Sequence, residues 1–137
     1  MTQQTSDIEG IIASPQDEND IFHWVACIEG PKDSYYEKGT FDLSLKFPVT
    51  YPTEPPEVKF TTKIFHPNVY TNGEICVDML KNNWCPILTV KSILISIRSL
   101  LSEPNSFSAA NTYAGEIFMR TPDLFKKKVL ETINEER

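Results

Sequence analysis

Three side chains in this sequence carry thiols, Cys27, Cys76 and Cys85, and two carry imidazoles, His23 and His66. The cysteine number is odd, and neither a Cys-x-x-Cys pair nor a His/Cys ligand spacing is present. That argues against a disulfide framework and against a structural zinc site, so no metal is expected. Cys27 lies between Ala26 and Ile28 and reads as a small buried or half-buried filler. Cys85, wedged between Trp84 and Pro86, reads as a packing residue. Cys76 differs. It follows the turn pair Asn72-Gly73 inside a long aperiodic stretch from Phe65 to Leu88, and His66 and Asn68 precede it by ten and eight residues. Loops held by rigid elements are where chemistry concentrates.

The neighbours of Cys76 restrict what its thiol does. Glu74 and Asp78 stand two residues to either side, and no Lys or Arg lies within four residues. Nearby carboxylates oppose thiolate formation. This suits a carrier thiol that receives an acyl group from an activated donor better than a hydrolase nucleophile primed by a histidine. When an amine attacks a thioester, an oxyanion forms, and an asparagine carboxamide such as that of Asn68 is a suitable donor to it.

Elements must hold these groups. Residues 1–20 read as polar and turn-rich. Ile21 to Ile28 reads as a strand, with Phe22, Trp24 and Ala26 alternating against His23, Val25 and Cys27. Gly30-Pro31-Lys32-Asp33-Ser34 supplies a turn. Thr40 to Phe47 is a second strand with Phe41, Leu43, Leu45 and Phe47 on one face, and Val58-Lys59-Phe60 a short third. Between them, Tyr51-Pro52-Thr53-Glu54-Pro55-Pro56 is a stiff loop in which an X-Pro bond can be cis. Then come helices. Thr89 caps one that carries Val90, Ile93, Leu94, Ile97, Leu100 and Leu101, and Pro104-Asn105 ends it. Ala109 to Met119 is a weaker helix with Ala110, Tyr113, Ala114 and Ile117 as its apolar face. Thr121-Pro122 opens a third that buries Phe125, Val129, Leu130 and Ile133. Strands first and helices afterwards make an α+β domain.

The 137 residues suit one domain, residues 1–137, with no repeat, linker or low-complexity tract. Net charge is −6, which disfavours nucleic-acid binding, and Lys126-Lys127-Lys128 reads as a solvated helix face. No signal region and no apolar run of membrane-spanning length is visible, so no membrane partner is expected and the location is cytoplasmic or nuclear. No phosphate-cradling glycine loop is present.

Phe65-His66-Pro67-Asn68, Asn72-Gly73, Cys76 eight residues after Asn68, and Trp84-Cys85-Pro86 together resemble the active-site region of ubiquitin-conjugating enzymes. The resemblance extends through Phe22-His23-Trp24, Gly30-Pro31, Tyr36-Glu37-Lys38-Gly39, Tyr51-Pro52 with Pro55-Pro56, and Glu103-Pro104-Asn105, over residues 20–133. It implies an antiparallel four-stranded meander sheet followed by helices. It also implies that Cys76 accepts ubiquitin from an activating enzyme and passes it to a substrate lysine presented by a ligase. Asn68 then supports the attack, as oxyanion donor or as scaffold. His66 and Pro67 support the active site, His66 as a structural residue, and Asp78 stands near its mouth. Pro52, Thr53, Pro86 and Ile87 match loops that face ligases. No cofactor is implied, because ATP is used by the activating enzyme.

Four features depart from the pattern. The family usually opens on an amphipathic helix, and here it is expected to be absent or truncated. Thr53 replaces an aromatic common in partners of thioester-forming ligases, so RING-type ligases are expected. Ser108 stands where many members place an acid that orients the incoming lysine; phosphorylation would restore about −1.5 to −2 charges there. Seven residues separate Cys76 from Trp84, with no acidic insertion. Two other readings compete with the enzyme that carries ubiquitin. One is a non-catalytic domain of the same fold that binds ubiquitin or partners. The other is a cysteine hydrolase using Cys76 and His66, for which no orienting third group is evident. A ubiquitin-like modifier such as NEDD8 is the alternative cargo.

Overall fold

A computed structural model describes residues 10–76, 78–81, 84–105 and 109–136, with the side chains of Asp78 and Glu136 left aside. Four antiparallel strands form one meander sheet in the order β1-β2-β3-β4. They are β1 (Ile11–Asp17), β2 (Asp20–Glu29), β3 (Thr40–Lys46) and β4 (Glu57–Phe60). Three helices follow, α1 (Val90–Ser102), α2 (Thr112–Arg120) and α3 (Pro122–Glu136).

The alternation in β2 and β3 does what the period-2 pattern requires. Trp24, Ala26 and Ile28 of β2 and Phe41, Leu43 and Leu45 of β3 are buried on one face. Register aligns them in rows: Ile11, Ile28 and Phe41 across three strands, and Ala13, Ala26, Leu43 and Phe60 across four. Helix α1 packs against β2 and closes the core with Ile93, Leu94 and Ile97, each fully buried.

Strand β1 corrects the reading of residues 1–20 as turn-rich. Ile11 and Ala13 are buried and Ile12 between them is exposed, so the strand alternates, but only over three apolar positions. Pro15 hid it. Proline lacks an N–H and belongs at an edge or a bulge. Here it has both, since β1 is an edge strand and its register with β2 shifts between Pro15 and Asp17. The expectation of an absent first helix falls on residues 1–9, which lie outside the described residues.

Helix α1 starts where Thr89 caps it. Its side chain accepts from the Ser92 N–H at 3.1 Å, and the Ser92 hydroxyl accepts from the Thr89 N–H at 2.8 Å, a reciprocal cap. Helix α2 starts three residues later than the apolar pattern suggests, because Asn111 caps it by accepting from the Ala114 N–H at 3.0 Å. Ala109 and Ala110 therefore precede the helix. Tyr113 leaves the buried face and is 50% exposed. In α3, Phe125 is a hub: Tyr35, Phe65 and Phe118 pack on its ring with centroids 5.3, 5.7 and 5.1 Å away. The Tyr51-Pro52 peptide bond is cis.

Candidate functional site

The eight-residue spacing between Asn68 and Cys76 is the width of a tight hairpin. The Cys76 N–H donates to the Asn68 carbonyl at 2.8 Å. One step further in, Val69 and Ile75 form an antiparallel bridge. The Tyr70 N–H then donates to the Glu74 carbonyl at 2.8 Å, and the Gly73 N–H returns to the Tyr70 carbonyl at 2.9 Å. Gly73 has φ +94°, and a Cβ there would sit 2.1 Å from the Phe60 carbonyl oxygen. Only glycine accepts both conditions. The hairpin is stitched to β4 through the Phe60 N–H, which donates to the Gly73 carbonyl at 2.9 Å, and through a bridge between Lys59 and Glu74. Val69 and Ile75 anchor it in the core, and Cys76, next in the chain after Ile75, is left half-buried.

His66 and Asn68 are fully buried beside this hairpin. The His66 Nε2 donates to the Leu100 carbonyl at 2.8 Å, and its Nδ1 accepts from the Asn68 N–H at 2.9 Å. One nitrogen gives and the other receives, which is the neutral Nε2–H tautomer. Burial pushes its pKa down from 6.5 to about 4, against the opposing pull of the Leu100 carbonyl. Both ring nitrogens are therefore committed to backbone groups. Tyr36 lies against the ring, centroids 5.5 Å apart, and its hydroxyl donates to the Phe65 carbonyl. Burial raises the Tyr36 phenol well above its ordinary value, so it stays a donor.

Asn68 uses both ends of its carboxamide on one residue. Nδ2 donates to the Asn105 carbonyl at 2.6 Å, and Oδ1 accepts from the Asn105 N–H at 2.8 Å. Pro67, also buried, accepts at its carbonyl from the Ala110 and Asn111 N–H groups at 2.7 and 3.0 Å. Residues 66–68 thus tie the segment after α1 and the residues before α2 to the hairpin that carries Cys76. Asn105 and Asn111 are the members of this arrangement that residue spacing did not reveal. They act on Asn68 and Pro67 from 37 and 44 residues away, and only Asn105 stood in a quoted motif.

The four exposed loop residues fall into two segments joined by one tryptophan. The Trp84 indole N–H donates to the Pro52 carbonyl at 2.9 Å, and the Trp84 and Tyr51 rings lie 6.2 Å apart. Pro52 and Thr53 lie on one side of that bond and Pro86 and Ile87 on the other, all exposed. Cys85 corrects its reading as a packing residue. It is exposed, because Trp84 takes the inward position and Cys85 opens the turn whose carbonyl accepts from the Leu88 N–H at 3.0 Å. Cys27 is half-buried. Asp78 begins a single 3-10 turn, Asp78–Leu80, and Ser108 lies outside the described residues. Among the described residues no group of three or more His, Cys, Asp or Glu side chains could hold a metal ion, and no helix is long and apolar enough to cross a membrane.

The family model for ubiquitin-conjugating enzymes matches residues 1–133. The chain is 45% identical over 126 residues to ubiquitin-conjugating enzyme E2 3 of Arabidopsis thaliana, covering 92% of this chain and 83% of that protein. It is 49% identical over 124 residues to ubiquitin-conjugating enzyme E2 2 of Kluyveromyces lactis, covering 90% of this chain and 75% of the relative. The protein of the same name from Saccharomyces cerevisiae is also 49% identical, with 90% and 72% covered. A meander sheet followed by three helices and a match across nearly the whole length place this chain in the ubiquitin-conjugating enzyme family.

Proposed function

We propose that Cys76 is the residue on which this ubiquitin-conjugating enzyme carries its cargo. The activating enzyme delivers ubiquitin by transthiolation, so that the Cys76 sulfur becomes bonded to the terminal carbonyl of ubiquitin. A substrate lysine, presented by a ligase, then attacks that carbonyl. The C–N bond forms, the C–S bond breaks, and the proton lost by the attacking amine is taken up, by way of solvent, by the departing Cys76 thiolate, which regains its thiol.

The observation that carries this reading is the backbone pair between Cys76 and Asn68 (2.8 Å). It holds the backbone of Cys76 beside that of Asn68. The Asn68 carboxamide is itself held at both ends by Asn105. In this proposal Asn68 supports the attack as oxyanion donor or as scaffold for the loop, and its bonds to Asn105 favour the scaffold. His66, neutral and committed to Leu100 and Asn68, holds that loop rather than taking a proton. Pro67 ties the loop to α2; by the family resemblance Asp78 flanks the thiol near the mouth and Ser108 takes the position where many members carry an acid that orients the incoming lysine. Pro52, Thr53, Pro86 and Ile87 form the surface for a ligase of the RING type. ATP acts on the activating enzyme and not on this chain. A role without nucleic acid or membrane, in the cytoplasm or nucleus, fits the acidic composition.

A charging assay tests the assignment. With ubiquitin, activating enzyme and ATP, the wild type acquires an adduct that reductant removes. Cys76→Ser acquires instead an oxyester that resists reductant and yields to base. A reductant-sensitive adduct surviving in Cys76→Ser would place the acceptor elsewhere. Running NEDD8 in parallel identifies the cargo.

A further inference from the structure

Tyr113 is a large aromatic side chain that the fold leaves half-exposed, 50% accessible, in the second position of α2. It is not loose. Its ring packs edge-on against Phe65, centroids 6.1 Å apart and planes at 71°, and Phe65 rests in turn on Phe125 at 5.7 Å. Phe65 is the residue before His66. The start of α2 is bonded to Pro67 through the Ala110 and Asn111 N–H groups. Tyr113 is thus held through its ring on Phe65 and, through the backbone just before α2, on Pro67, the residue before the Asn68 that pairs with Cys76. Exposed Glu116 follows it by three positions, on the same side of the helix. Arg120 lies a further turn away, toward the far end of α2.

A rigid, half-exposed phenol with a carboxylate beside it presents a negative π-face and a negative charge to solvent. Such a surface favours lysine and arginine side chains. The chain as a whole is acidic, net charge −6. We infer that Tyr113, backed by Phe65 and flanked by Glu116, is a positioning residue for the acceptor: it holds the residues around the attacking lysine and favours acceptor segments rich in Lys and Arg. This rests on Cys76 as the carrier. The chemistry is the aminolysis written above; Tyr113 acts on where the lysine's segment lies and not on the bond exchange.

The experiment uses the full chain charged with ubiquitin on Cys76. Discharge is followed with two peptides of equal length, each with one lysine, flanked by arginines in one and by glutamates in the other. Hydroxylamine, which has no flanking segment to bind, serves as the reference nucleophile. For each variant the reading is the ratio of peptide discharge to hydroxylamine discharge. The wild type discharges faster to the arginine peptide. Tyr113→Ala lowers the arginine-peptide ratio about two- to five-fold, the range for one exposed cation–π contact. The loss is in KM for the peptide rather than in the saturating rate. Tyr113→Phe keeps the wild-type ratio, because the ring and not the hydroxyl makes the contact. An arginine-peptide ratio unchanged in Tyr113→Ala, or lowered as far in Tyr113→Phe as in Tyr113→Ala, overturns the inference while leaving Cys76 as carrier. A wild type that takes no ubiquitin on Cys76 overturns both.

Discussion

A histidine ten residues before Cys76 invites a catalytic role, and its surroundings decide otherwise. His66 is fully buried, gives one nitrogen to Leu100 and the other to Asn68, and has its pKa pushed by burial from 6.5 to about 4. The consequence is a stability that depends on pH. Below pH 6.5 the unfolded chain binds a proton on this imidazole that the folded chain refuses. Stability therefore falls as pH drops from 6.5 to about 4, and levels off below that, where both states are protonated. The full loss from this one group is about 3 kcal/mol. His66→Gln starts less stable at pH 7, by about 2 kcal/mol for the disrupted buried hydrogen bonds. It should then lose less than the wild type on acidification. Urea unfolding of both chains at pH 7, 5.5 and 4.5 measures the difference. Equal losses in the two chains would mean that another group carries the acid sensitivity.

At the scale of elements, the hairpin that holds Cys76 depends on Gly73. A methyl group there meets the Phe60 carbonyl oxygen at 2.1 Å and forces an L-residue to φ +94°. Gly73→Ala is expected to cost about 3 kcal/mol, combining backbone strain with overpacking. Relief comes by pulling the hairpin off β4, which also moves Cys76, so charging with ubiquitin should slow along with the loss of stability. Denaturant melts together with charging rates check this. A chain that melts earlier but charges at the wild-type rate would show that Cys76 is positioned independently of the turn.

Elements with long, regular periods are readable along the chain, and short or edge elements are not. Strand β3 and helix α1 have long, regular apolar periods, and Thr89 with Ser92 marks a start by local chemistry alone. Strand β1 has three alternating positions and a proline, tolerable because β1 is an edge strand, and no local signal announces an edge. Asn111 moved the start of α2 past Ala109 and Ala110, which suit a helix well, because it caps the helix at Ala114 while the Pro67 carbonyl takes the N–H groups of Ala110 and Asn111. Spacing and pattern singled out Cys76 and Asn68, and the structure pairs their backbones at 2.8 Å. The bond pair from Asn68 to Asn105 was not, since it joins groups 37 residues apart and each end looks ordinary alone.

At the scale of the whole molecule, the thiol hairpin and the exposed loops are held by different means. The hairpin is fastened to β4 and, through residues 66–68, to α1 and α2. The two exposed loops are fastened to each other by the Trp84 indole and the Pro52 carbonyl, 2.9 Å apart. A ligase that touches Pro52, Thr53, Pro86 and Ile87 together finds its surface assembled in advance, and avoids the cost of ordering two loops on binding. Trp84→Phe keeps most of the ring that packs against Tyr51 and removes the indole donor to Pro52, leaving between the loops the longer bond from the Tyr51 hydroxyl to the Leu88 carbonyl, 3.4 Å. A single hydrogen bond of this kind contributes about 1 kcal/mol, and the same amount lost from ligase affinity is about a five-fold change. The ratio of ligase-stimulated to unstimulated discharge from Cys76 should therefore fall about five-fold at sub-saturating ligase and recover as ligase is raised. A ratio that matches the wild type at every ligase concentration would show that the loops need no pre-assembly. A deficit that persists at saturating ligase would show that Trp84 serves the transfer step rather than the docking surface.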